Sequence, residues 1–277
     1  MLDAIVIGGG PAGLQATLTL GRMHRPTLML DSGAYRNAPV DAMHNIITND
    51  GRAPAEFRSI VRGELAAYAE VEVRDVAATT VVRLDDGTFE VTLADGSVET
   101  SRAVVLATGL RDVMPDIDGF AEQWGRTVHV CPFCHGHELH GKRIAIQDSP
   151  AAEHQVPLLS PIVGSIAVVP AVTSVELTSD GLVVTSGDSS VVVDGLFAHP
   201  AFEQSAPFAA QLGLEMRDSG CIAIDLFGAT SVPGVFAAGD LAHVAELPMP
   251  MPSVLAAAAA GQLAGAAVVR SSVMQTA

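Results

Sequence analysis

At 277 residues, 49% of them hydrophobic, the chain can bury a sizeable interior and form one or two domains. Lys and Arg number 15 against 31 Asp and Glu, and the resulting net charge of -16 argues against nucleic acid and anionic membrane as partners. The opening MLDAIVIGGGPAG lacks the basic segment, apolar core and small-residue cleavage site of an export signal, so the expected location is the cytoplasm. Three cysteines in a reducing compartment do not make a disulfide framework, which points a paired C-x-x-C to redox or metal chemistry.

The first segment, AIVIGGGPAGLQATLTLGRMHRPTLMLDSG, begins as a short buried strand and turns on glycines. It continues as an Ala/Leu-rich helix and ends in a second strand at 27–30, a βαβ unit. Gly8, Gly10 and Gly13 supply G-x-G-x-x-G at the strand-to-helix junction. That pattern gives a tight turn, close approach of the backbone to a pyrophosphate and close helix packing, with the helix N-terminus facing the phosphate charge. Asp31 follows the second strand, where a carboxylate can accept from ribose hydroxyls. The cofactor on this reading is FAD or NAD. Downstream, 88–93 and 98–99 flank an Ala94-Asp95-Gly96 turn as a hairpin, and 103–106 is a buried strand leading into Ala107, Thr108 and Gly109.

At 131–140 the sequence reads CPFCHGHELH. C-x-x-C-H is the haem attachment pattern, but attachment needs export. Cys131, Cys134, His137 and His140 could hold zinc, though at a spacing too short for the usual two-knuckle layout. The favoured reading is a redox dithiol at a helix start, with Pro132 at its first position and the helix end lowering a thiol pKa. His135 is the candidate general base, its imidazole able to take a thiol proton near neutrality, with His137 a second choice. The alternative for His135 is a surface histidine packed beside the dithiol. Glu138, His140 and His243 read as polar turn or satisfied loop residues, and Cys221 as a buried structural thiol.

Further on, 143–146 is a strand, and the Val-rich stretch from Ser165 to Phe197, with turns at 179–181 and 186–188, reads as a small β-sheet. GVFAAGD at 234–240 again runs from strand into Gly239-Asp240. Pro248, Pro250 and Pro252 precede an apolar segment from Ser253 to Val269 that reads as a buried helix and a poor membrane span. Met249 and Met251 in that proline-rich loop line a substrate pocket or merely fill the loop.

GGGPAG at 8–13, ATG at 107–109, CPFC at 131–134 and TSVPGVFAAGD at 230–240 together resemble the thioredoxin-reductase-like family of flavin disulfide oxidoreductases. RNAP at 36–39 and CHG at 134–136 resemble its branch of FAD-dependent dithiol oxidases. The resemblance implies an α/β fold, with a Rossmann-like three-layer FAD domain at 1–113 and 199–277 and a reduced β-rich insert at 114–198. It implies FAD held by Gly8, Gly10, Pro11, Ala12, Gly13, Asp31, Ala107, Thr108, Gly109 and Gly239, with Asp240 near the ribityl chain. Ser253 and Val254 would start a helix aimed at the flavin, Asn37 and His44 would approach the ring, and Val76 would meet the adenine. Cys134 would face the flavin while Cys131 exchanges with substrate, in a homodimer.

The family places a second nucleotide-binding βαβ unit for NADPH after the C-x-x-C, and here the sequence departs from it. The turn reads QDSPAAEHQ, no glycine occurs from Lys142 through Val163, Asp148 and Glu153 oppose a phosphate, and neither Lys nor Arg occurs between Ile144 and Asp194. The expected function is therefore an FAD-dependent dithiol oxidase acting on a small-molecule or protein thiol, with O2 as acceptor. The rivals are a disulfide reductase fed by ferredoxin or another redox protein, disfavoured by like charge with an acidic carrier, and a redox sensor or metal-binding module.

Overall fold

The structure, a computed structural model, describes residues 1–274, so the last three positions of the 199–277 segment lie outside it. The chain opens with β1 (Leu2–Ile7), α1 (Pro11–Arg22), β2 (Thr27–Leu30), α2 (Pro54–Leu65) and β3 (Val71–Arg74). β4 (Ala78–Arg83), β5 (Phe89–Leu93), β6 (Val98–Leu106) and β7 (Leu110–Val113) follow. Ala4, Ile5 and Val6 are fully buried, as expected of a parallel strand covered on both faces. β6 serves three partners because it is long. Its first half pairs antiparallel with β5, and its second half pairs parallel with β1 and with a later strand at Val235–Ala237. The sequence reading did not place α2, although Phe57, Val61 and Leu65 recur at helical spacing in PAEFRSIVRGEL and pack on the core.

Next come α3 (Phe120–Gln123), β8 (Val128–His129), α4 (Pro132–His135), β9 (Arg143–Gln147), α5 (Ala152–Leu159) and β10 (Ser165–Val169). β11 (Val172–Thr178), β12 (Gly181–Ser186), β13 (Ser189–Val193), β14 (Gly195–Phe197) and β15 (Ala201–Gln204) complete this stretch. The Val-rich stretch is not one small sheet. Only β11, β12 and β13 form an antiparallel meander, whereas β10 and β14 join β9 and β8 in a parallel sheet of order β10-β9-β14-β8. Parallel pairing of β9 and β10 through α5 makes a second βαβ unit, shortened but intact in connectivity.

The last elements are α6 (Phe208–Gln211), β16 (Ile222–Ala223), β17 (Val235–Ala237), β18 (Ala242–His243) and α7 (Val254–Met274). β17 pairs with β6 and completes a 7-stranded sheet whose path is β3-β2-β1-β6-β5-β4. α7 packs on α1 through small residues. A Cβ on Gly261 would stand 2.0 Å from the Ala12 carbonyl oxygen, and one on Gly265 2.9 Å from that of Ala16. By length and composition Val254–Val273 could cross a membrane, with mean hydropathy 1.4, yet Ala257, Ala264 and Val268 belong to the core.

The described residues form two compact units, one of Met1–Arg36, Ala55–Arg111 and the chain from Glu203 onward, and one of Asn37–Pro54 and Asp112–Phe202. Residues 37–54, assigned from sequence to the first domain, cluster with the second unit. The first unit is built on the mixed sheet with its α1–α7 pair. The second has cores around Phe120, Leu182 and Leu196 and around Ile144, Ile146 and Phe197.

Candidate functional site

In the first unit, β1 leads left to β2 through α1 while β6 lies to its right. A crevice therefore opens at the carboxyl ends of β1 and β6, the place where open parallel sheets bind ligands. The glycines there are dictated by contact. Gly8 has φ +120°, and a Cβ on it would stand 2.3 Å from the Ala107 carbonyl oxygen. A Cβ on Gly13 would stand 1.8 Å from the Gly8 carbonyl oxygen, so α1 is drawn against its own approach loop. Gly10 has nothing within 4 Å of its Cβ position, which leaves open space beside the N-terminus of α1, where Pro11 starts the helix and Ala12 is buried. That cradle fits a pyrophosphate.

Asp31 is 2% exposed and interlocks with the loop, since a Cβ on Gly9 would stand 1.9 Å from its Oδ2. Its carboxylate accepts from the Gly33 amide at 3.0 Å, the Tyr35 hydroxyl at 2.6 Å and Arg62 Nη2 at 3.0 Å. Roughly one of its four or so lone-pair sites remains for a ribose hydroxyl. Burial and the neighbouring Asp31 push the Tyr35 phenol up to about 12, and Arg58 lies 3.6 Å over the Tyr35 ring. Thr108 is half-buried, and Gly109 follows it at φ +69°. A Cβ on Gly239, at φ +93°, would touch the Ala12 Cβ at 3.0 Å. Asp240 accepts from Arg36 Nη1 at 3.2 Å, and Ser253 precedes α7 with its Oγ 3.4 Å from the Ala256 amide. Val254 opens α7, whose first turn carries no acidic side chain, so the positive end of its dipole is unopposed. Val76 lies half-buried in the loop from β3 to β4. Cys221 is fully buried, its Sγ 3.7 Å from the Asp240 carbonyl oxygen, and burial raises its pKa.

The dithiol belongs to the second unit. Cys131 and Cys134 are joined as a disulfide, with Cys131 as N-cap and Pro132 opening α4, a single turn of 4 residues. A helix that short carries little of the dipole invoked from sequence. Among the described residues no group of three or more His, Cys, Asp or Glu that could hold a metal is found.

Histidines surround the pair. The His129 and His135 rings stack with centroids 4.0 Å apart and 21° between planes, and His44 meets His135 edge-on at 6.5 Å. His44 Nδ1 lies 3.6 Å from Glu138 Oε1 and 3.9 Å from Asp50 Oδ1. Nearby, Asn37 points Nδ2 at Met43 Sδ, 3.8 Å away. Burial and then the proximity of His44 lower the His135 pKa, against smaller opposing effects of Glu138 and the Cys131 backbone. A cavity of about 250 Å³ is lined by His44, Asn45, Asp50, Phe133, Cys134, His137 and Glu138. Phe133, between the two cysteines, is 69% exposed.

The chain as a whole is matched by known proteins. Residues 2–156 and 163–262 match the pyridine nucleotide-disulphide oxidoreductase family. The chain belongs to that family. It is 31% identical to a protein named thioredoxin reductase sirT from Leptosphaeria maculans, over 97% of this chain and 93% of that one. Among solved structures it resembles an oxidoreductase from Agrobacterium tumefaciens, at TM-score 0.88 and 30% identity over 99% of each chain. It also resembles a putative thioredoxin reductase TrxB from Bacillus anthracis, at TM-score 0.90 and 26% identity over 100% of each.

The protein is thus an FAD-dependent disulfide oxidoreductase of the thioredoxin reductase type, with an α/β Rossmann-like fold. Sequence reasoning missed several residues at the dithiol. Glu138, set aside as a polar turn residue, pairs with His44, and Asp50 joins it from a loop with no motif. Only its place two positions before Cys131 marked His129. His243 is satisfied, with Nε2 2.8 Å from Ser219 Oγ and Nδ1 2.9 Å from the Val244 carbonyl oxygen.

His129 also sets a pH dependence. Burial, with His135 as a lesser cause, lowers its pKa from 6.5 to about 3, so it folds neutral while the unfolded chain protonates it below 6.5. The unfolded state then binds more protons, and stability falls as pH drops through that window. Urea unfolding should show about 2 kcal/mol lost between pH 7.5 and 5 through this group, a loss that His129→Phe removes. Equal pH slopes for the two proteins would contradict it.

Proposed function

We propose that the protein is a dithiol oxidase that closes a disulfide in a small-molecule or peptide dithiol with O2 as final acceptor and without NADPH. The observation that carries this reading is the state of the second βαβ unit. The turn after β9 carries Asp148, Ser149, Pro150 and Ala151, and α5 has Glu153 in its first turn and Pro157 inside. A carboxylate at a helix N-terminus opposes a phosphate there, and no glycine lets a pyrophosphate come close. Gln155, 4% exposed, reaches from α5 to the Val130 carbonyl oxygen at 3.0 Å and to His199 Nε2 at 2.9 Å. Val130 and His199 follow β8 and β14, so these bonds span the strand ends of the crevice that a nucleotide would need.

In the proposed cycle a substrate thiolate attacks Cys131 Sγ, forming a mixed disulfide and releasing the Cys134 thiolate. The second substrate thiolate attacks the mixed bond at the substrate's own sulfur. The product leaves as a disulfide, two electrons poorer, and Cys131 and Cys134 keep those electrons as a dithiol. His135, un-ionised at neutral pH, takes the thiol proton on a ring nitrogen. Bound FAD supplies the two-electron path from the protein dithiol to O2, with hydrogen peroxide as the product. The first unit holds the cofactor, and the protein works as a cytoplasmic homodimer.

The names of the relatives favour a second direction, disulfide reduction, for which another redox protein would be the electron donor. The discriminating experiment supplies dithiothreitol in air and measures oxidised dithiothreitol and peroxide. The oxidase reading expects one peroxide per disulfide and no effect of NADPH. Peroxide formation that requires NADPH would overturn it.

A further inference from the structure

His129 ends β8, two residues ahead of Cys131, and it contributes no hydrogen bond to the site. It is 7% exposed, and its Nδ1, like that of His135, is buried with no partner. An unpaired buried ring nitrogen costs stability, so a polar side chain here needs a compensating role. What the ring does is pack. One side lies on His135 at 4.0 Å, and Phe197 stands tilted at 5.8 Å.

The groups that bear on His135 are few. His44 faces it edge-on from the 37–54 segment, Glu138 acts on it from the turn after α4, and Asp50 reaches it only through His44. Cys131 and Cys134 lie on its own turn, and His199 is turned to Gln155. Two imidazolium rings at stacking distance would repel each other, so the pair takes up at most one proton as the pH falls. Burial keeps His129 from being the ring that takes it, since its pKa stands near 3.

We propose that His129 is a positioning residue for His135, its ring packed face to face on the imidazole so that it shuts water from one side of the base and fixes the plane in which that base meets the dithiol. This rests on His135 being the base. Phenylalanine should replace His129 without loss, because the flat face acts and the nitrogens do not. Alanine should admit water, relieve the burial of His135 and let its pKa climb back toward the ordinary histidine value, carrying the acid limb of thiol exchange upward with it.

The test measures reduction of the purified flavoprotein's disulfide by dithiothreitol across about pH 5 to 8, together with titration of the His135 ring by ¹H–¹⁵N NMR. Wild type and His129→Phe should share one acid limb and one His135 midpoint, and His129→Ala should shift both to higher pH. His129→Ser, also small enough to admit water, takes the place of the alanine variant if that protein does not fold, with the same upward shift expected. An alanine or serine variant with wild-type limb and midpoint overturns the proposal, as does a phenylalanine variant displaced as far as the alanine one. His135→Asn separates the two readings. If it leaves the limb in place, the base assignment itself fails. If it removes the limb while the His129 variants change nothing, only the positioning role fails.

Discussion

Cys134→Ser should bind FAD normally and lose dithiol-driven flavin reduction by at least about a thousandfold, the scale of loss expected when a nucleophile that works as part of a unit is removed. Cys134 lines the 250 Å³ cavity with His44, Phe133 and Glu138, and Cys131 caps the same turn at a Cα–Cα separation of 5.3 Å. With serine at 134 no disulfide can join the pair, so a substrate thiolate has no S–S bond to attack and no electron pair can be left on the protein as a dithiol. The glycine cradle of the first unit is untouched by the change. Flavin content measured by absorbance and anaerobic bleaching by dithiothreitol read the two properties separately. Bleaching at the wild-type rate would show that electrons do not pass through this pair.

The second large effect is a contrast between two glycines of one motif. Gly13→Ala places a Cβ 1.8 Å from the Gly8 carbonyl oxygen, a backbone atom that can move only if the turn between β1 and α1 opens. Expression should give colourless protein with a depressed melting temperature, by several kcal/mol of lost stability if overpacking is at the upper end of its usual range of about 1–3 or beyond. Gly10→Ala meets nothing within 4 Å, so the protein should fold with wild-type stability. It should nevertheless bind FAD more weakly, because the added methyl lies where the pyrophosphate approaches. Thermal unfolding of the apoproteins and FAD titration by fluorescence check both. Equal FAD affinity in wild type and Gly10→Ala would mean that the open space beside Gly10 is not the phosphate site.

The first unit was the more legible of the two because its constraints are local. Gly8 and Gly13 of G-x-G-x-x-G answer to an atom a few residues away or beside the neighbouring strand, Gly10 leaves open space at the start of α1, and the apolar run of β1 follows from burial on both faces. The second unit was less so. The Val-rich stretch from Ser165 to Phe197 looks the same whether its strands pair in sequence or cross over, and periodicity does not tell β10 and β14 from the meander between them. The dithiol was found from spacing alone, but its surroundings were not. His44, Asp50, Glu138 and His129 come from three stretches of chain and meet only through the fold. Gln155, read from sequence as part of the QDSPAAEHQ turn, lies in α5 and is buried, donating to the Val130 carbonyl and to His199 Nε2.

In the proposed cycle electrons enter through the C-x-x-C from a dithiol, and the second βαβ unit admits no nicotinamide. Anaerobic stopped-flow absorbance of the purified yellow protein tests this most directly, with dithiothreitol in one syringe and NADPH in another. Flavin bleaching by dithiothreitol with none by NADPH is the predicted result. Rapid bleaching by NADPH, at concentrations that leave the dithiol reaction unneeded, would contradict it.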